Sequence, residues 1–240
     1  MRINKDCFLF TTPIAHRGLW NDNIIENSIP AYINAVKHGF AIEIDLYLSK
    51  DGVLFSFHDI NLKRMTGVDA LITDKTFDEI KALRLLDSDL TVPTFDEVLS
   101  AVDGKVPLLI EIKDQPNKTC VDKTVDRLKS YKGEFALQSF NPLYIKRIKK
   151  LAPTFLRGVL GTEVKQEDKS KLVNFIIRKM PLNFLVKPDF ISYSYSGLPL
   201  KKRKVKNKAV IAWTVTDNKT ATALTPFVDN IIFEHFIPTK

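Results

Sequence analysis

Cysteine is nearly absent from this chain. Two occur in 240 residues, Cys7 and Cys120, at a spacing that fits no metal or redox motif, which excludes a disulfide framework as the organising device. Glycine (9) and proline (12) are too few for low-complexity linkers. No apolar run approaches the roughly 18–20 residues of a membrane span. The stretch Phe8-Leu9-Phe10 is too short for the apolar segment of a signal peptide. What remains is ordinary globular composition, 45% hydrophobic and 27% charged. These features predict a soluble, cytoplasmic protein with reduced thiols, forming a single domain over residues 1–240. The net charge of +8 favours anionic partners, whether phosphates, nucleic acid or a membrane surface, and does not choose among them.

Short apolar runs alternate with helix-like segments, the pattern of βα units around a parallel sheet. Eight such runs are found: Pro13–Ala15, Ala41–Leu48, Pro107–Lys113, Phe135–Phe140, Phe155–Leu160, Phe190–Tyr195, Val210–Val215 and Asn230–Glu234. Helices are expected over Ser28–His38, Cys120–Lys129, Pro142–Leu151, Leu198–Lys206 and Asn218–Phe227. Eight units in this length predict the α/β class and a (β/α)8 TIM barrel. A doubly wound open sheet is the alternative. Two regions break the alternation. Residues 50–99 are too long for one connection and suggest a small hairpin and helical insertion after the second strand, with short helices at Thr76–Leu83 and Phe95–Ala101. Residues 163–188 suggest an extra helix or a lid.

Four local patterns carry chemistry. His16 and Arg17 lie at the C-terminal end of the first strand, where barrel enzymes place their active sites. An imidazole transfers protons near neutral pH, and a guanidinium offers a fork of donors to phosphate. In the second run, Glu43 and Asp45 share one face of an otherwise apolar strand. Adjacent carboxylates repel and need a partner, either a hard cation such as Mg²⁺ or Ca²⁺ or an ion pair with Arg17 or Lys113. Asp51-Gly52 reads as a two-residue hairpin turn. That register sets His58 opposite Asp45, and a slip of one residue turns it to the other face. Glu111 and Lys113 share a face of the third run and add a third carboxylate and a phosphate-binding ammonium. Trp213, like Phe140, is a candidate pocket wall or a core residue.

In their order and spacing these stretches resemble the glycerophosphodiester phosphodiesterase family. Ile14-Ala15-His16-Arg17-Gly18 with Glu26-Asn27-Ser28 resembles its opening motif. Glu43–Gly52 resembles the second, and His58–Gly67 the third. Val92–Leu99, Glu111-Ile112-Lys113, Gln138-Ser139-Phe140 and Trp213-Thr214-Val215 also match. The resemblance implies a barrel of the phosphatidylinositol-phospholipase type that hydrolyses a glycerophosphodiester to glycerol 3-phosphate and an alcohol. It implies that His16 and His58 are the acid–base pair. It implies that Glu43, Asp45 and Glu111 bind one divalent cation, Mg²⁺ or Ca²⁺ with Mn²⁺ as a third candidate, that Arg17 and Lys113 hold the phosphate, and that Trp213 lines the glycerol side. Two positions depart from the family pattern: Glu234 stands where Asp is frequent, and Thr216 where Asn is.

Two other readings compete with this one. A related barrel enzyme acting on intact phospholipids would use residues 163–188 and the basic run Lys201-Lys202-Arg203-Lys204 to dock on a membrane. A solvated basic helix face is the favoured reading of that run. A non-catalytic phosphate-ligand binder is opposed by the complete set of histidines and carboxylates. Nucleic acid is not an expected partner, because no recognised binding motif is present.

Overall fold

The computed structural model describes residues 3–167 and 169–238. In chain order its strands are β1 (Ile14–Ala15), β2 (Ala41–Leu48), β3 (Leu54–Ser56), β4 (Leu108–Ile112), β5 (Phe135–Ser139), β6 (Arg157–Gly161), β7 (Phe190–Ser194), β8 (Ala209–Val215) and β9 (Asn230–Phe233). The helices are α1 (Phe8–Thr11), α2 (Ile29–His38), α3 (Lys63–Thr66), α4 (Phe77–Lys81), α5 (Phe95–Val102), α6 (Thr119–Leu128), α7 (Pro142–Leu151), α8 (Lys171–Lys179), α9 (Asn183–Val186), α10 (Lys202–Val205) and α11 (Asn218–Leu224). Strand–helix alternation with parallel pairing is that of the expected (β/α)8 barrel. All eight expected strands are present, most of them within a residue or two of their expected limits.

The chain forms two compact units, residues 17–134 and residues 1–16 with 135–240. In the first, the strand order is β4-β2-β3, with β2 and β4 parallel and β3 antiparallel to β2. Every residue of β2 is buried, so both faces of this strand are covered and its polar members stand out chemically. The β2–β4 register sets Glu43 beside Leu109 and Asp45 beside Glu111. In the second unit, the order β1-β9-β8-β7-β6-β5 is parallel throughout.

Residues 50–99 build a small core of their own. Phe55, Phe57, Leu62, Met65, Ile72, Phe77 and Ile80 cluster there, with the Phe55 and Phe77 rings 5.8 Å apart. Burying each such side chain stabilises by about 1.5–3 kcal/mol. Capping boxes start both short helices: Thr76 with Glu79 before α4 and Thr94 with Glu97 before α5.

Two local expectations are corrected. The hairpin closes through three residues, not two: Leu46 pairs with Ser56 and Leu48 with Leu54, Ser49 N–H donates to Val53 O (3.0 Å), and Gly52 takes φ 84°. Asp51 is claimed by other partners, accepting from Ser49 Oγ (2.6 Å) and Phe77 N–H (2.9 Å), and Lys123 Nζ donates to Gly52 O (2.6 Å). Phe57 therefore stands opposite Asp45, its N–H donating to Asp45 O (3.1 Å), and His58 lies one residue further, beyond the end of β3. The helix expected over Leu198–Lys206 shrinks to Lys202–Val205. Its run of four like charges opposes a longer helix, and Pro199 has no N–H to continue one toward the N-terminus. Residues 163–188 hold α8 and α9.

Candidate active site

The turn after β1 sets the site's entrance residues. Arg17 and Gly18 both take positive φ, 57° and 83°. A Cβ on Gly18 would stand 2.8 Å from Ala31 Cβ, so the turn packs directly on α2 only because this residue has no side chain. Asn27 N–H closes the turn on Arg17 O (2.9 Å). Ser28 then caps α2, accepting from Ala31 N–H, with Pro30 in its first turn and Gly39 ending it at φ 69°.

Six of the eight expected site residues come together in the unit of residues 17–134. Oxygens of Glu43, Asp45 and Glu111 lie within 4.8 Å of one another, and all three residues are buried. Lys113 Nζ stands 2.7 Å from Asp45 Oδ1 and 3.0 Å from Glu111 Oε1. Arg17 N–H donates to Glu43 Oε2 (3.1 Å), and Arg17 Nε lies 3.7 Å from Asp45 Oδ2. The carboxylates thus have the ion pairs that were the alternative to a cation, yet the cluster is not fully compensated. Burial, then the Asp45 and Glu111 charges, push the Glu43 carboxyl well above its usual range. Burial also opposes ionisation of Asp45, but Lys113, His58 and Arg17 outweigh it and hold that carboxyl far below its usual range. Lys113 loses solvation by burial and is still held above the usual lysine range by Asp45, Glu111 and Glu43.

A divalent cation fits this donor set. The oxygens are hard, buried and within about twice a Ca²⁺–O distance of one another. Glu43 carries a cost of ionisation that the Lys113 and Arg17 charges do not relieve.

Residues without an expected role of their own hold these groups in place. Asn27 Nδ2 donates to Asp45 Oδ2 (3.0 Å), while Asn27 Oδ1 accepts from Tyr32 Oη (3.0 Å) and Ser56 Oγ (3.1 Å). Glu26 Oε1 accepts from Arg17 Nη1 (2.8 Å) and Arg64 Nη2 (2.6 Å). Arg64 Nε also donates to Asp59 Oδ2 (2.6 Å), and Asp59 Oδ1 lies 2.7 Å from His58 Nδ1. One chain of charge-assisted contacts therefore runs from His58 to Arg17. Burial works against the Asp59 charge, and bonds from His58 and Arg64 pull its carboxyl far below its usual range. Glu26, Asn27, Asp59 and Arg64 lie inside the recognised motifs and Tyr32 and Ser56 outside them, but the pairings join positions up to 38 residues apart, and no spacing rule links them.

His16 and Trp213 belong to the other unit. His16 N–H donates to Phe233 O (2.9 Å), and its Nδ1 lies 2.7 Å from Glu234 Oε2. Trp213 packs edge-on against Phe140 at 5.7 Å, and its Nε1 is a buried donor without a partner. Ser192 Oγ of β7 donates to Gln138 Oε1 of β5 (2.7 Å) across β6. His16 and His58 thus each have Nδ1 beside a carboxylate oxygen.

The model of the Glycerophosphoryl diester phosphodiesterase family matches residues 16–236. A Bacillus subtilis protein with a provisional glycerophosphodiester phosphodiesterase assignment in its name is 28% identical, over 92% of this chain and 93% of its own. Among solved structures, a Parabacteroides distasonis glycerophosphodiester phosphodiesterase is 26% identical with a TM-score of 0.75, covering 92% of each chain. A phosphodiesterase from Oleispira antarctica, solved with the product sn-glycerol-3-phosphate, has the same fold at 23% identity and a TM-score of 0.78, covering 94% of this chain and 93% of its own. With a family match that begins at His16 and takes in all eight expected site residues, the chain belongs to the glycerophosphoryl diester phosphodiesterase family.

Proposed function

We propose that this protein hydrolyses small glycerophosphodiesters to glycerol 3-phosphate and an alcohol, with His16 and His58 as proton carriers and Glu43, Asp45 and Glu111 as ligands of one divalent cation. The observation that carries the reading is the buried trio of carboxylates flanked by Arg17 and Lys113. The glycerol 3-phosphate complex of the Oleispira antarctica protein supports the choice of product. When bound, the cation offsets charge on the phosphoryl oxygens.

The remaining roles fall to the chain's own groups. Arg17 Nε is a buried donor with no hydrogen-bond acceptor, suited to a phosphate oxygen. Its Nη1 is fixed by Glu26, so the guanidinium plane is set before substrate arrives. Lys113 supplies a second positive charge beside the carboxylates. His58, held by Asp59, and His16, held by Glu234, take a proton from the nucleophile and return one to the leaving alkoxide in this reading. Trp213 lines the glycerol side in this reading, its Nε1 offering a donor to a hydroxyl.

The test is release of glycerol 3-phosphate from glycerophosphocholine, glycerophosphoethanolamine and glycerophosphoglycerol, with EDTA and with Mg²⁺, Ca²⁺ or Mn²⁺ restored. Metal-dependent release is expected. Absence of release from folded, metal-supplemented protein overturns the proposal.

A further inference from the structure

Helices α8 and α9 present apolar side chains outward. Leu172 is 68% exposed, Phe175 53%, Phe184 77% and Leu185 39%, with Val164 59% exposed just before them. The inner side of α8 is conventional: Ile177 is buried, and Ser170 caps the helix by accepting from Val173 N–H. A surface helix normally turns polar residues outward, so the outer apolar side chains need another reason.

The charges around them are mostly positive, with Glu163 paired to Arg178 of α8. Residues 169–187 contain five Lys or Arg and no Asp or Glu, and residues 201–208 contain six and none. Glu163, paired with Arg178 of α8, lies 2.9 Å from where a Cβ on Gly197 would stand, so α8 adjoins the chain leading into the basic segment. The Lys204 ammonium is held below the usual lysine range by partial burial and by the nearby Lys179, Arg203 and Lys201 charges, against the opposing pull of Glu163. An apolar patch with a net positive rim is the chemistry of an interfacial helix that inserts side chains among acyl chains while anionic headgroups meet the rim. Exposed phenylalanines and leucines offer nothing to a soluble anion.

We propose that α8, α9 and the basic segment 201–208 form a docking surface for anionic lipid membranes. The sequence alone favoured a solvated face for the basic run; the outward apolar side chains beside it change that balance. The inference is independent of the hydrolytic reading, because turnover of a soluble diester measures one and vesicle binding the other.

Flotation with vesicles of equal parts phosphatidylglycerol and phosphatidylcholine, at near-physiological salt, tests it. The full chain is expected to float with these vesicles and not with pure phosphatidylcholine. Replacing Phe175→Ser together with Phe184→Ser is expected to abolish flotation. Lys201→Ala and Lys202→Ala are each expected to weaken binding about fivefold. All of these variants keep wild-type turnover of soluble glycerophosphocholine, which also reports that they fold. Failure of the wild-type chain to float, flotation indifferent to vesicle charge, or undiminished binding by the Phe175/Phe184 variant overturns the proposal. So does self-association through the patch, or binding to DNA, without vesicle binding.

Discussion

Glu234 Oε2 meets His16 Nδ1 at 2.7 Å, joining positions 218 residues apart in the chain. The carboxylate fixes which imidazole nitrogen faces away from it, and the Glu side chain, one methylene longer than the Asp frequent in the family, reaches the ring from the end of β9. Glu234→Leu is expected to lower kcat by up to about 10²-fold with little change in KM, as part of the 10²–10⁴ that proton transfer contributes. His16→Ala and His58→Ala are each expected to lose that larger amount. Steady-state kinetics on glycerophosphocholine checks all three, and an unchanged kcat in Glu234→Leu would falsify the positioning role.

Asn27 acts on Asp45 in a comparable way. Its Nδ2 bonds Asp45 Oδ2, and Tyr32 and Ser56 hold its other end. Partners that orient a metal ligand are typically worth 10–100-fold in affinity. Asn27→Ala is expected to weaken Ca²⁺ or Mg²⁺ binding by about that factor in calorimetry, and Glu43→Gln to weaken it further. Wild-type affinity in Glu43→Gln removes Glu43 from the ligand set.

The raised Glu43 pKa has a consequence for stability whose sign can be worked out. Folding raises this carboxyl from its usual 4.5, so between that value and the folded one the native state binds more protons than the unfolded chain. The contribution to stability is present below pH 4.5 and is lost as pH rises through the folded value. Asp45 runs the other way: its lowered pKa stabilises above its usual 3.8 and that contribution is lost as pH falls. In EDTA, Glu43→Gln is therefore expected to have a higher Tm than wild type at pH 7–8, the gap closing toward pH 4. A cation at 100 times its Kd stabilises the wild type by about 2.7 kcal/mol, and Glu43→Gln forfeits most of that. Thermal melts across pH with and without Ca²⁺ decide it; a wild type as stable as Glu43→Gln in EDTA at pH 8 rejects the account.

Gly18 and Gly39 separate conformation from space. Both have positive φ, but a Cβ on Gly39 meets nothing within 4 Å, whereas one on Gly18 collides with Ala31. Gly39→Ala is expected to cost about 1–2 kcal/mol, the left-handed backbone penalty alone. Gly18→Ala is expected to cost more and also to lower activity, because Arg17 precedes it. Denaturant unfolding of the two variants provides the comparison; equal losses would show that the contact with α2 does not matter.

Much of this was legible from residue patterns. The eight strands announce themselves because each is a short apolar run between turn residues, and the alternation within Glu43–Asp45 and Glu111–Lys113 already places the carboxylates and the lysine on one face. What the sequence does not carry is pairing over distance. Glu26 with Arg64, Asn27 with Asp45 and Glu234 with His16 become partners only after the strands fix their positions. The hairpin shows the same limit locally. Asp51-Gly52 is a sound two-residue signal, yet bonds to Ser49, Phe77 and Lys123 draw the loop out by one residue. His58 still comes near Asp45 because the chain leaves β3 before reaching it.

Lys113 gives the carboxylate cluster a selectivity filter. Its ammonium touches two of the three acids from a tether that no dilution removes. An ion sharing those oxygens competes with a local cation of unit charge, so sodium or potassium gains little by entering, and only a higher charge density repays the displacement. On the reading proposed above, the lysine that would hold a phosphate also sets monovalent cations at a disadvantage among these carboxylates.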